Sequence, residues 1–397
     1  MAVRSRTKRA AAAVTALFAT SAVVTACGSE DTDKSSSKAR EKPAAAAVEQ
    51  PLVATHDGGI YVLDGQSLKI AGDVPLPGYN RVNPAGDEEH IMVSTSQGFR
   101  VLDASRQKMT GTLFKGAEPG HVVLHAGHTV LFTDGTGKAT VLDPADLGKK
   151  KPEAETHTSP SPHHGVAIKL KNGELVSTLG TEKERKSIVV TDKNGKEIAR
   201  NDKCPEVHGE ATAKDETVVV GCEDGVLVYK DGKISKVDSP TDYGRIGHQK
   251  GHEDSAVVLG DYKQDPEAEL ERPEKVSLID TRTGKMKLVD LGTSYSSKSL
   301  ARGPHSEALV LGTDGKIHVI DPEAGKVTRT VPVLGRWSEP MDWQQARPEI
   351  LVRGGTAFVT DPENKKIYAV DLKSGKKKAT GTFPKKPNEL AGVTAAH

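Results

Sequence analysis

Apolar and polar positions alternate in a short phrase that recurs along the chain. Each copy begins at a turn, runs through three or four alternating apolar residues and usually ends at an Asp before a second polar turn. The eight copies lie at 59–64, 98–103, 138–143, 187–192, 225–230, 275–280, 316–321 and 366–371. Successive copies end 38 to 50 residues apart. Repeats of this length, each holding several short strands, are typical of a β-propeller, so the pattern predicts an all-β, eight-bladed β-propeller.

The order of strands within a blade can be assigned on residues 121–156. An inner, a second and a third strand are predicted at 121–125, 128–132 and 139–142, and a weak polar edge strand follows. Turn pairs such as Asp224-Gly225 supply the positive φ that tight hairpins require. Two longer polar stretches exceed what a blade needs and are predicted to be surface loops, at 148–162 and 262–274.

The two ends of the chain are predicted to share one blade. Residues 52–55 have the pattern of a second strand, but 41–50 make a poor inner strand. At the other end, 390–397 is left without a blade. We therefore expect this segment to supply the missing inner strand, which closes the ring and removes exposed strand edges.

The first 27 residues are predicted to be a lipoprotein signal peptide. A basic start is followed by the apolar run 10–24, which is too short to span a bilayer. The run ends in Val24-Thr25-Ala26-Cys27, typical of a bacterial lipobox, in which Cys27 is acylated. An ordinary cleaved signal with an incidental Cys is the alternative. With 28–49 as a flexible tether and 50–397 as the propeller, we expect an exported protein held at the membrane surface by lipid.

Charge and cysteine content limit the partners. The chain has 55 basic and 54 acidic residues and 4% aromatics, so nothing favours nucleic acid, which needs a basic face. We expect a monomer.

Besides Cys27, two cysteines are present, Cys204 and Cys222. Outside the cytoplasm a disulfide is favoured over two free thiols, and metal thiolates are the alternative.

Several of the fourteen histidines share one position in the repeat. They precede predicted inner strands, and they are His121, the pair His163-His164, His208 and His248. With His164 as the aligned member, they recur at steps of 40 to 44 residues. Equivalent positions on successive inner strands surround one mouth of the channel, where three or four imidazoles suit tetrahedral Zn²⁺. The sequence therefore predicts a zinc site at this mouth.

Other side chains are candidates for completing or orienting that site. They are His125, Glu210, His252 and Glu253. His157, in the polar loop, is a candidate for capturing metal. The alternative for all these histidines is structural, because propellers often carry a His in each blade that bonds between strands and binds nothing.

Three motifs resemble the AztD zinc metallochaperones. They are Pro162 to Ala167 (PHHGVA), Cys204 to Ala211 (CPEVHGEA) and Gly221 to Gly225 (GCEDG). The resemblance implies an exported propeller that is not an enzyme, binds zinc and passes it to AztC, the solute-binding protein of a zinc ABC importer. It also suggests a disulfide between the paired cysteines beside the His208 loop. The chain departs from the family in its lipobox and in lacking a dense His run near the N-terminus.

Two other functions compete with zinc transfer. One is a protein-binding scaffold. The other is a propeller enzyme of the lactonase or quinoprotein type, which needs a calcium site or a cofactor slot lined by Trp and Arg. Trp337 and Trp343 fall in one segment, but we expect them to plug the space between blades. No arrangement of catalytic residues rises above background.

Overall fold

The computed structural model describes residues 47–394, which form eight four-stranded antiparallel sheets. The predicted signal peptide with Cys27 and most of the tether lie outside the described residues, as do 395–397. The sheets are the blades of a β-propeller, as predicted from the repeat. Within the described part of the chain, no helix is long and apolar enough to cross a membrane.

The innermost strand of each blade lines the central channel, and most of these strands contact those of the adjacent blades. In chain order they are β4 (Arg81–Pro84), β8 (Pro119–His125), β12 (Ala167–Lys169), β16 (His208–Ala213), β20 (Gln249–His252), β24 (Leu300–Arg302), β28 (Ile350–Arg353) and β32 (Leu390–Gly392). We number the blade that holds β32 as blade 1, the blade that begins with β4 as blade 2, and so on to blade 8, which begins with β28.

The second strands are β1 (Leu52–His56), β5 (His90–Thr95), β9 (His128–Thr133), β13 (Leu175–Gly180), β17 (Thr217–Cys222), β21 (Ser255–Gly260), β25 (Ala308–Leu311) and β29 (Thr356–Asp361). The third strands are β2 (Gly59–Leu63), β6 (Gly98–Asp103), β10 (Lys138–Leu142), β14 (Arg185–Thr191), β18 (Gly225–Lys230), β22 (Lys275–Asp280), β26 (Lys316–Asp321) and β30 (Lys366–Asp371). These third strands coincide with the eight recurring phrases, whose apolar residues are mostly buried between neighbouring blades.

The outer strands are more polar and more exposed. They are β3 (Ile70–Pro75), β7 (Lys108–Lys115), β11 (Ala154–Thr158), β15 (Glu197–Asn201), β19 (Lys233–Asp238), β23 (Lys285–Asp290), β27 (Lys326–Pro332) and β31 (Lys377–Thr382). Short 3₁₀ turns lie at Asp134–Thr136, Pro144–Gly148 and Lys214–Glu216. The prediction of a loop over the whole of 148–162 was wrong, because Ala154–Thr158 pairs with β10 as the edge of blade 3.

Strands from both ends of the chain close the ring, as predicted. β1 pairs with β2 on one side and with β32 on the other, with Val53 opposite Ala391. The segment ahead of β32 continues the pairing, since the Thr55 amide donates to the Glu389 carbonyl and the Asn388 amide donates to the Thr55 carbonyl. Blade 1 therefore exists only when the two ends meet.

A buried group of charges lies beside the closure. The Lys298 ammonium lies 2.7 Å from Glu389 and 3.4 Å from Glu349, and the Leu390 amide donates to Glu349 at 2.7 Å. The Tyr79 hydroxyl donates to Glu389 at 2.9 Å. Burial raises the pKa of the Glu349 carboxyl to about 7; Lys298 opposes this rise and Glu389 adds to it.

Deleting residues 390–397 should destabilise the whole molecule, because β1 loses its partner and the core shared by blades 1 and 2 opens. We expect a loss of about 3 kcal/mol or more, from the exposure of Leu390, Ala391 and Val393. Deletion of 395–397 alone, which keeps β32, is the control. Chemical denaturation followed by circular dichroism measures both, and equal midpoints would contradict the closure argument.

Glu349 should make folding less stable as the pH rises. Its folded pKa lies above the ordinary value for Glu, so between these two values the folded chain holds a proton that the unfolded chain has released. Stability from this group is therefore lost as pH rises through about 7. We expect Glu349→Gln to flatten the fall in unfolding midpoint between pH 5 and 8, whereas the same change at exposed Glu363 leaves it as in the wild type. Parallel profiles for all three proteins would refute this.

Candidate metal site

Four of the predicted histidines lie at one mouth of the channel. His121 is in β8, His164 comes shortly before β12, His208 opens β16 and His248 directly precedes β20. The inner strands of blades 3 to 6 start at this mouth, so residues 40 to 44 positions apart in the sequence meet. The ring centroids lie 5.2 Å apart for His121 and His164, 4.9 Å for His164 and His208, 5.5 Å for His121 and His208, and 5.6 Å for His208 and His248.

Three of these imidazoles form a group that could hold a metal ion. One nitrogen from each of His121, His164 and His208 lies within 4.8 Å of the other two. Around a tetrahedral zinc the ligand nitrogens are about 3.4 Å apart, so small rotations of the side chains would bring them to bonding distance. His248 is outside this group but next to His208. The mouth thus brings three candidate ligands together and places a fourth candidate at their edge.

In three of the four rings the Nδ1 atom lies within hydrogen-bonding distance of an oxygen atom. His164 Nδ1 lies 2.6 Å from Asp134 Oδ2, and His248 Nδ1 lies 3.2 Å from Asp261 Oδ2. His208 Nδ1 lies 2.7 Å from the Gly247 carbonyl. A carbonyl and an ionised carboxylate only accept hydrogen bonds, so the proton belongs on Nδ1 and the Nε2 lone pair is left for a metal.

His121 follows the same arrangement less closely. Its Nδ1 lies 3.4 Å from Glu210 Oε2. Glu210, which the sequence analysis named as a candidate for completing or orienting the site, thus lies beside His121. Only Gly209 separates it from His208 along β16, so one strand supplies both a candidate ligand and the carboxylate beside a neighbouring candidate.

The electrostatics of the site favour a neutral imidazole at His208. Burial lowers the pKa of His208 well below its ordinary value, and His121, His248 and His164 lower it further. At Asp261, burial alone would raise the pKa, but hydrogen bonds from His248 and from the backbone amides of His248 and Gly247 lower it. A neutral His208 can ligate a metal without first losing a proton.

Cys204 and Cys222 form a disulfide next to His208. The bond joins the segment that enters β16 to the end of β17, and His208 pairs with Gly221, the neighbour of Cys222. The disulfide expected from the sequence is thus present, and the thiolate alternative is wrong. The cross-link fixes the backbone from which the His208 ring projects.

His163 does not join the group. Its side chain is buried, with Nδ1 3.0 Å from the Ser161 carbonyl and Nε2 3.1 Å from Thr178 Oγ1. The ring also packs edge-on against Phe132. His164, in contrast, lies beside His121 and His208 at the channel mouth, while His163 is held inside the blade.

The remaining candidates lie elsewhere. His125, His252 and Glu253 line a cavity of about 850 Å³ at the opposite mouth, where the inner strands end. His125 is four residues beyond His121, about 13 Å along a strand, and its Nε2 lies 2.8 Å from Glu216. His157 is on the outer strand β11, not in a loop. These residues do not surround the three-histidine group.

Sequence reasoning missed three of the oxygen acceptors. Asp134 and Asp261 each follow the end of a second strand, which returns to the mouth where the inner strands begin. An Asp at this point of the repeat was a signal that could have been used. The Gly247 carbonyl leaves no such signal, because any residue has one.

Fold and site together define an eight-bladed β-propeller with a histidine site suited to a metal ion at one mouth of its channel. The chain is similar in sequence to the zinc chaperone AztD of Citrobacter koseri, with 26% identity over 302 residues, 74% of this chain and 69% of that protein. The resemblance expected from the motifs is confirmed, and the relative is described as a chaperone rather than an enzyme. No family model matches the chain.

Solved structures give the same fold. Apo AztD from Citrobacter koseri superposes with a TM-score of 0.75 at 22% identity, covering 87% of this chain and 98% of that one. A second AztD structure from that organism gives 0.74 with the same coverage. The dihydro-heme d1 dehydrogenase NirN gives 0.59 at 14% identity, covering 86% of this chain and 74% of that one. At these identities the structural matches support the fold alone.

Asp134→Asn should weaken zinc binding about 10- to 100-fold, the usual effect of losing an acceptor behind a ligand. The new amide can present an N–H to His164 Nδ1, which already carries a proton, so the ring loses its orientation. Competition with a chromophoric zinc chelator measures the affinity. Asp143→Asn, in an exposed turn of the same blade, is the control and should bind as the wild type does. An unchanged affinity in Asp134→Asn would show that the contact does not orient the ligand.

Proposed function

We propose that this protein is an extracytoplasmic zinc chaperone that binds Zn²⁺ through His121, His164 and His208, with His248 as the fourth ligand or the ligand met first on entry. The observation that carries the proposal is the convergence of three imidazoles whose Nδ1 atoms face oxygen atoms, which leaves their Nε2 atoms available to a metal. Similarity to a zinc chaperone supports zinc as the metal.

The exposure of the site suits binding followed by release. The side chains of His164 and His248 are 35% and 43% exposed, whereas their acceptors Asp134 and Asp261 are 15% and 3% exposed. The orienting groups are thus fixed in protein while the ligands border on solvent. An incoming ligand can reach the ion at the open position and replace the histidines one at a time, as transfer to another protein requires.

The recipient in this proposal is an AztC-like solute-binding protein of a zinc ABC importer. The AztD-like motifs of the sequence support that partner. Export with a lipid anchor at Cys27 is part of the same proposal, supported by the lipobox pattern and compatible with the disulfide. Anchoring would keep the chaperone at the membrane that holds the importer.

Substitution of the ligands tests the proposal. We expect His121→Ala, His164→Ala and His208→Ala each to lower zinc affinity at least 100-fold, because each removes one of three ligands. His248→Ala should have a smaller effect, since its ring lies outside the group of three. Isothermal titration or chelator competition at pH 7.5 measures all four.

His305→Ala is the matched control, because His305 is exposed and outside the cluster. Circular dichroism should show the same fold in every variant. Wild-type protein that binds no zinc, or variants at the three histidines that bind as the wild type does, would refute the proposed site.

A further inference from the structure

Two large apolar side chains are exposed on the segment that joins blades 7 and 8. Trp343 is 64% exposed and Met341 is 52% exposed. Among the described residues, only one other large apolar side chain is comparably exposed, Ile198 at 43%. The expectation that both tryptophans fill space between blades was wrong for Trp343, whereas Trp337 is half-buried and its Nε1 donates to the Gly312 carbonyl at 2.9 Å.

The segment is held in place by buried polar contacts. Arg347 and Glu339 form a buried ion pair at 2.6 Å, and Arg347 also donates to the Asp342 carbonyl at 2.8 Å. From blade 6, Arg272 donates to the Glu339 carbonyl at 3.0 Å. The two exposed side chains are thus presented by a fixed backbone, so binding at them would lose little conformational entropy.

The segment lies at the same mouth as the histidines and on the opposite half of it. Asn388, which precedes inner strand β32 of blade 1, donates to the Gln344 carbonyl at 2.8 Å. The Trp343 ring packs edge-on against Tyr79, which precedes inner strand β4 of blade 2, with centroids 5.3 Å apart. The segment therefore extends from blade 8 across the inner-strand starts of blades 1 and 2, whereas the histidines occupy blades 3 to 6.

We infer that Trp343 and Met341 form the docking surface for the protein that accepts zinc from this site, an inference that rests on the proposed function. Direct transfer requires the acceptor's ligands to come within coordination distance of the histidines, so the acceptor must contact this mouth. On the half of the mouth that has none of the four clustered histidines, Trp343 and Met341 are exposed on a segment with a fixed backbone. Exposed Trp and other apolar groups of this kind mark protein interfaces, in which a few such residues supply most of the affinity.

The inference also specifies the acceptor. It should carry an apolar pocket close to its own metal ligands, at a spacing that matches half the width of the channel mouth. With Trp343 in that pocket, the open metal site of the acceptor would lie over His164 and His248, which are more exposed than His121.

The test compares zinc transfer to a protein with transfer to a small molecule. The double variant Trp343→Ser/Met341→Ser and the control Ile198→Ser, on the outer strand of blade 4, are loaded with zinc as full-length proteins. A zinc-free AztC-like solute-binding protein or a chromophoric chelator is then added. We expect transfer to the protein to slow about tenfold or more in the double variant, with zinc affinity and release to the chelator unchanged.

Each other result is decisive. Equal rates of transfer to the protein in all three chaperones would overturn the docking surface. Slower release to the chelator as well would mean that the segment acts on the metal site rather than on a partner. A wild-type dimer that the double variant dissociates, with transfer unaffected, would assign the surface to self-association. Failure of the wild type to bind zinc would instead refute the proposed function.

Discussion

Closure of the ring is the constraint on which the site depends. No single blade holds two of the three clustered histidines, so their proximity comes entirely from the angle at which successive blades pack. That angle is maintained around the ring only while β1 is paired with β32. A propeller opened at blade 1 would keep its strands and hairpins, but only the core shared by blades 3, 4 and 5 would then hold His121 near His208.

The site combines fixed supports with accessible ligands. The buried Asp261 carboxylate holds Nδ1 of His248, and the Gly247 carbonyl holds Nδ1 of His208. Burial also lowers the pKa of His208, which keeps that ring neutral. The opposite faces border on the channel mouth. Such an arrangement gives a defined geometry without enclosing the ion, in contrast to a structural zinc site whose four ligands are all inaccessible.

Most of the fold could be predicted from the sequence, because the third strand of each blade repeats the same alternation of buried and polar residues. Four histidines share one position in that repeat, and this shared position predicted that His121, His164, His208 and His248 lie at one mouth. The repeat could not distinguish His163 from His164, because adjacent residues occupy nearly the same position in it. Only the side-chain contacts show that His164 lies at the mouth. The acceptors Asp134 and Asp261 were missed, although their shared position directly after a second strand could have indicated them, whereas the Gly247 carbonyl has no sequence signal.

The exposure of Trp343 could not be predicted from the sequence either. The residues of a long connection do not indicate whether it folds between blades or lies over the mouth. What decides this is the set of contacts that its neighbours make with distant blades, such as those of Gln344 with Asn388.

The disulfide makes the rigidity of the backbone at His208 depend on the redox state of the compartment. In a reducing compartment Cys204 and Cys222 are thiols, and the stretch leading to His208 is held only by noncovalent contacts, such as the Glu223 amide donating to the Pro205 carbonyl and the ion pair of Glu206 with Arg185. Oxidation to the disulfide adds a covalent link between this stretch and the end of β17. Under the proposed export, the cross-link that fixes the His208 backbone would therefore form only after the chain has left the cytoplasm.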